Sequence, residues 1–571
     1  MLITMLLACG DKDTGQTTDD TGAVGSDTDT PTPTDCGAVA SGDVALDGDA
    51  DAVAFCAEYA EVEGTLTIIG ATDLSGLSCL CAAGALTITG SPELSSLDGL
   101  DSLVSVGALT LADSPALSDL SALSGLTRIG GDLTIDDVSA LTSLTGLSGI
   151  AEIAGTLTIE DAPYLSELTA LSSLTAVDGI HLEGLDSLTS LAGLSGITAL
   201  ERIELNGNDA LLDLSGLENL TSIGDVVLAG NDALADLSGI SGDSTLGSLS
   251  ISSSDALTGL TGLEGLSGVD DLIIHSNYYL TDLSALSGVS TIGGDLELVN
   301  NGSIMSLTGL SGLSTISGSL LIDTNTMLAD FSGLEGLSVV GESVTIDNNL
   351  LLTDLTALSG LTGINVDLTI SESGSLATLE GLHNLGGIGG SVTIEGNSNL
   401  DDLSGLSSLS TVGQHLTLHN NADLISLTGL ESLVSVGESL IITENAALLD
   451  VAALTSLEGL GEDLYIYYNS SLADLTGLSA LQLLGGDLYL KWQPSLLTLD
   501  GLEALYWVEG DVYIRGNTDL NDVSGLTGLD WIAGNFEISF NPTLTNSVAN
   551  ELIEVIGESN IGGEISVYSN N

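Results

Sequence analysis

Apolar residues recur along most of the chain in one short pattern. Between 416 and 440 they fall at Leu416, Leu418, Leu424, Leu427, Leu430, Leu433 and Val436, and Leu440 starts the pattern again. Leu416 and Leu418 alternate with other residues, which predicts a short strand with both side chains turned inward. The positions that follow are spaced by three. That spacing fits a tight coil with 3₁₀-like or extended turns better than a helix of 3.6 residues per turn. A unit of this size cannot bury its apolar face alone and needs neighbours stacked on it.

The neighbours are present. Strand-like cores run from Leu66-Thr67-Ile68 and Leu86-Thr87-Ile88 to Phe536-Glu537-Ile538 and Ile565-Ser566-Val567, about 22 in all. From Leu272 to Phe536 every interval is 24 residues, a period that predicts a solenoid in which each coil touches only the next. Glycine pairs such as Gly389-Gly390 and Gly485-Gly486 sit where the chain turns back into a strand. Five residues after each strand start there is often an asparagine, for example Asn397, Asn421 and Asn445. Stacked amides at that position would bond turn backbone that is otherwise unpaired, a structural role. At about 4.8 Å per coil the rod is on the order of 100 Å long.

The pattern Leu-x-Ile-x-x-Asn-x-x-Leu-x-x-Leu, with turns such as Ile292-Gly293-Gly294-Asp295-Leu296, resembles the leucine-rich-repeat superfamily. More closely it resembles the receptor L-domain branch and its bacterial surface-lipoprotein relatives. Phe55-Cys56-Ala57-Glu58-Tyr59 to Ile68 is similar to that family's entry, and Asn550–Ile553 through Ile561–Ile565 to its closing helix and last strand. The resemblance spans residues 36–571 and implies recognition rather than catalysis. The expected fold is a β-solenoid, an L-domain-like right-handed coil of about 22 units with one parallel β-sheet face. A disulfide cap is expected at its N-terminal end and a helical cap at its C-terminal end. The expected organisation is a signal segment 1–9, a tether 10–35, an N-terminal cap 36–65, the repeat 66–544, and a closing cap with the last strand 545–571.

Leu6-Leu7-Ala8-Cys9 resembles a lipobox, in which Cys9 carries the lipid, and Gly10 after it implies the outer membrane. The expected location is thus the bacterial cell envelope, as an outer-membrane surface lipoprotein, or outside the cell if secreted. Residues 10–35 are nearly all Asp, Thr, Gly, Ser and Pro, the composition of a solvated tether. The other cysteines, Cys36, Cys56, Cys79 and Cys81, all precede residue 82, as disulfides stapling a cap would. Cys36 with Cys56 is the expected pair. A bond between Cys79 and Cys81 would be strained, which leaves their state open, and a zinc site is the alternative.

Charge changes the picture of partners. With 80 Asp+Glu against 5 Lys+Arg, the formal charge is −75. So few cations exclude tracking of a nucleic-acid backbone or adsorption to anionic lipid, leaving membrane contact only through the N-terminal lipid. A hydrophobic share of 43% excludes a disordered acidic tail. Acidic residues spread over the solvent faces keep a leucine-filled rod soluble and oppose end-to-end association, so a monomer is expected.

The aromatic residues are the exception to this even spread. They make up only 3% of the chain, yet all three tryptophans and two of the five basic residues fall between 465 and 531. Tyr465, Tyr489 and Tyr513 occupy the middle outward column on three successive coils. Tyr467, Lys491 and Arg515 occupy the next column, and Trp492 follows directly. These seven form a candidate ligand-binding patch, suited to stacking on sugar rings or gripping a peptide or an acidic group. The competing reading is an aromatic ladder that only stabilises the sheet.

No catalytic residue or cofactor is indicated, since every coil offers Ser and Asp. His415 and His419 lie too far apart along a strand to share one metal. The column Asp463, Asp487 and Asp511 would repel itself without counterions, so non-specific calcium screening is expected there and no dedicated metal site. The expected function is a non-enzymatic cell-surface binding or adhesion module with a protein or glycan partner. An acidic envelope spacer without a ligand is the alternative, and a carbohydrate-active solenoid enzyme stands third.

Overall fold

In the computed structural model, residues 37–240 and 245–571 are described. Alternation within each strand core sets the architecture. Leu416 and Leu418 are fully buried and pair in parallel with Leu440 and Ile442, which pair in turn with Leu464 and Ile466. The same register carries one main parallel sheet from Leu66 to the closing rung Ile565–Tyr568. The expected parallel β-solenoid is the fold.

Two further columns close the coils, the first of them formed in only some coils. Single-turn 3₁₀ segments such as Ser404–Leu406 and Thr476–Leu478 satisfy the spacing-by-three stretch. Two-residue strands such as Thr411–Val412, Trp507–Val508 and Trp531–Ile532 stack into a second, narrower parallel sheet ahead of the glycine turns.

The sheet begins one rung earlier than the sequence pattern indicates. Val44–Asp47 pairs in parallel with Leu66–Ile69, and the helix α1, Asp49–Phe55, follows it. This extra coil corrects the expected disulfide. Cys56 is bonded not to Cys36 but to Cys79, with a Cα–Cα distance of 5.6 Å and a separation of 23 residues. The reason is the repeat itself. Cys56 closes the first coil just after α1, and Cys79 follows the 3₁₀ turn Ser75–Leu77 one coil later, so the two share a column. Cys81 is disulfide-bonded as well. Cys9, Cys36 and the tether lie outside the described residues.

The closing cap is the helix α2, Asn546–Ile556, whose first turn is held by the Thr545 hydroxyl accepting the Val548 N–H. Its face of Ala549, Leu552, Ile553 and Ile556 is buried, and it leads into the last rung.

Two polar ladders stand beside the leucines, the first of buried amides from Asn208 to Asn541 broken by serines. Asn421 is fully buried; its Nδ2 donates to the Ile394 carbonyl at 2.8 Å and its Oδ1 accepts the Asn397 N–H at 3.1 Å. The amide stack expected from the sequence is therefore present. The second ladder stands just before each strand. Asp463 accepts the Asp487 N–H at 2.6 Å, Asp487 accepts that of Asp511, and Asp511 that of Asn535. The expectation that these aspartates repel one another is thus only half the account. Each carboxylate faces a backbone donor of the next coil rather than the next carboxylate.

Candidate functional site

The rungs Leu464–Tyr467, Leu488–Lys491 and Val512–Arg515 pair in register, which brings six of the seven predicted residues onto one end of the main sheet, with Trp492 in the turn directly after its rung. Tyr465 and Tyr489 stack with centroids 4.5 Å apart, and Tyr489 and Tyr513 with centroids 5.0 Å apart. Their hydroxyls are committed too. Tyr489 donates to Asp487 at 2.7 Å and Tyr513 to Asp511 at 2.8 Å, using the carboxylate oxygens that the backbone ladder leaves free. Tyr489 is thus stacked on both faces, and Tyr465 and Tyr513 on one face each.

Burial, and then the charge and hydrogen bond of Asp463, push the Tyr465 hydroxyl up to about 12. Tyr489 is pushed higher still by the same causes, with Asp487 as its partner. A phenol whose folded value is raised stabilises the fold fully below its unfolded value near 10, and that contribution is lost as pH rises through about 12. Alkaline titration followed by tyrosinate absorbance is therefore expected to show late-ionising tyrosines, with unfolding in the same range. Tyr489→Phe should shrink that late group. Ionisation of every tyrosine near its ordinary value in the folded protein would refute the ladder.

Lys491 Nζ lies 4.0 Å from the Tyr489 ring centroid and 4.5 Å from that of Tyr513. Burial, with Arg515 nearby, lowers its ammonium below the usual lysine range despite the pull of Glu537 and Asp487. Arg515 sits over the Phe540 ring at 4.8 Å and 3.8 Å from Glu537, which also accepts the Tyr568 hydroxyl. Both cations are thus compensated within the protein.

The column next to these rungs was not readable from alternation. Directly after each strand one residue takes the left-handed conformation, filled elsewhere by Gly90, Asp113, Asn348 or Asn420. Near the C-terminal end that position holds Tyr468, Trp492 and Phe540, with φ of 57°, 56° and 57°. Bulky residues strongly disfavour this region. Ser276, Thr324, Glu372 and Glu444 also take this position, so it is the aromatic ring in a column otherwise of glycine and polar residues that could have found Tyr468 and Phe540. Tyr468 and Trp492 lie with centroids 6.3 Å apart and planes 18° apart. They wall an open cleft of about 220 Å³, whose other lining is Ser470, Pro494, Gly516 and Thr518. Trp507 and Trp531, by contrast, stand on the narrower sheet, and the Trp507 indole donates to Glu509 at 2.7 Å.

Among the described residues one group has metal-ligand chemistry. His415, Glu438 and Glu462 bring ligand atoms within 4.8 Å of one another. His415 Nδ1, however, accepts the Ser439 backbone N–H at 3.3 Å, while Nε2 lies 2.7 Å from Glu438. A neutral imidazole with Nδ1 as acceptor carries its proton on Nε2. That tautomer donates to Glu438 and has no lone pair on Nε2 for a metal.

No family model matches the chain, and no curated protein does. Among solved structures the chain is similar to TLR13, crystallised in complex with ssRNA13. The identity is 16%, 90% of this chain and 79% of that chain are covered, and the TM-score is 0.27.

Proposed function

We propose that the protein is a non-enzymatic binding and adhesion module, an L-domain-like solenoid of the bacterial cell surface held by lipid on Cys9. On this reading it engages a surface protein or glycan through the rungs that carry Tyr465, Tyr467, Tyr489, Lys491, Trp492, Tyr513 and Arg515. The observation that supports it is the gathering of ring stacks and two compensated cations on three consecutive rungs, in a chain only 3% aromatic. A parallel sheet face presented by a stack of coils is a common form of extended recognition surface.

The test is binding of the full chain to intact cell surfaces, compared with the double variant Tyr467→Ala, Lys491→Ala. A loss of tenfold or more is expected, and unchanged binding overturns the role of these rungs. For the anchor, Cys9→Ala should abolish metabolic lipid labelling, and persistent labelling overturns that claim. A purely structural spacer is favoured by one observation, the bonding of the Tyr489 and Tyr513 hydroxyls into the aspartate ladder. Absence of saturable binding to any cell surface would establish that reading instead.

A further inference from the structure

We propose that the left-handed aromatic column Tyr468, Trp492 and Phe540, with the cleft beside it, is a docking track for a neutral, extended polysaccharide lying along the solenoid axis. The proposal rests on the binding-module reading and specifies its ligand class and its contact residues.

Backbone conformation is the first argument. Most coils put glycine or a small polar residue after the strand, because the left-handed region suits those residues. Aromatics at three of four successive coils work against folding, and strained positions of this kind cluster at functional sites. Ring accessibility is the second. In the middle column Tyr489 is stacked on both faces and Tyr465 and Tyr513 on one each, whereas Tyr468, with the Tyr467 ring centroid 4.2 Å from its own, and Trp492 remain 47% and 38% exposed. At the coil between Trp492 and Phe540 stands Gly516, where any Cβ would overlap the Trp492 ring. The missing side chain lets the indole lie over the next coil and extend the track.

Charge and spacing select the ligand. A chain of net charge −75 repels an acidic polymer at long range. A basic peptide finds no carboxylate in the cleft, whose lining holds no charged residue. A neutral ligand meets neither obstacle. The cleft is lined by the rings of Tyr468 and Trp492 together with the hydroxyl-bearing Ser470 and Thr518. That is the pairing a pyranose needs, apolar on its faces and hydroxylated at its edges. Its volume of about 220 Å³ suits a single sugar ring. Successive coils are spaced by about 4.8 Å, close to the advance of one sugar unit in an extended chain, so neighbouring rings meet neighbouring units of a repeating ligand.

The test is affinity electrophoresis of the full chain in gels containing hydroxyethyl cellulose, a soluble β-glucan or galactomannan, with polygalacturonate and oligolysine as charged comparisons. At least one neutral polysaccharide is expected to retard the chain. Trp492→Asn and Tyr468→Asn should each weaken that retardation tenfold or more. Because asparagine suits the left-handed position, both variants should keep or raise the thermal midpoint, which an aromatic of purely structural value would not allow. Retardation that survives both substitutions overturns the proposal, as does retardation by polygalacturonate or oligolysine alone. If the chain binds cell surfaces but no neutral polysaccharide retards it, the ligand class fails and the binding-module reading stands. If it binds neither, both fail.

Discussion

Gly429→Ala is expected to destabilise its coil by about 3–5 kcal/mol, while Gly405→Ala at the same position one coil earlier costs less, about 1–3 kcal/mol. The two glycines look alike in the repeat, and the backbone separates them. Gly429 has a φ of 110°, whereas Gly405 lies outside the left-handed region. A Cβ at either would overlap a carbonyl of the coil below, that of Leu403 or of Leu379, so the overlap is common to both and the backbone conformation alone separates them. Its N–H donates to the Glu431 carboxylate at 2.9 Å, an arrangement repeated at Gly333 with Glu335 and Gly501 with Glu503. Coils of the Gly-Leu-Glu type thus depend on a conformation that only glycine adopts without strain.

Gly405 belongs to the other class, in which the segment Ser404–Leu406 is a 3₁₀ turn. In that class Ala357 and Ala453 occupy the same position in 3₁₀ turns of their own and are nearly fully buried. Urea denaturation with hydrogen exchange of amides between 392 and 464 reads the difference, because each coil is supported only by its neighbours. Equal losses in the two variants would show that coil class does not decide the effect.

The contrast shows what the residue pattern conveys and what it leaves out. Burial follows polarity at fixed phase, so the strands and the stacked asparagines could be read directly. Backbone sign does not follow polarity. Tyr468, beside Tyr467, looks like one more residue of an alternating strand, yet it has left the strand for a turn that closes the coil. The cysteine pairing failed for a related reason. Column membership is counted from a known rung, and Val44-Ala45-Leu46-Asp47 precedes the regular period, so Cys56 had no column until that rung was seen. The aspartate column looked repulsive because side chains were considered without the N–H groups of the next coil.

Asn421→Leu is expected to cost about 3 kcal/mol, against about 1 kcal/mol for Asn421→Ser. Leucine is close to asparagine in size and suits a buried site by hydropathy, so composition alone would predict little change. The loss arises from the partners. Without the amide, the Asn397 N–H and the Ile394 carbonyl lose their bonds inside a dry core, and an orphaned buried polar group costs about 1–3 kcal/mol. One of the two can be re-paired, because an apolar coil elsewhere shows how. Where Val138 takes the ladder position, the Ser114 N–H bonds the backbone carbonyl of Asp137 at 3.1 Å instead. That relief holds the expected loss below the sum of two orphans. Serine recovers the N–H bond by another route, as Ser373 does when its hydroxyl accepts from the Asn349 N–H at 3.3 Å. The deciding measurement is hydrogen-exchange protection of the Asn397 amide together with the urea midpoint. Protection should fall most in the leucine variant and be largely kept in the serine variant. A leucine variant as stable as the parent would mean that the amide ladder adds nothing beyond burial, and that the repeat retains asparagine for some reason other than stability.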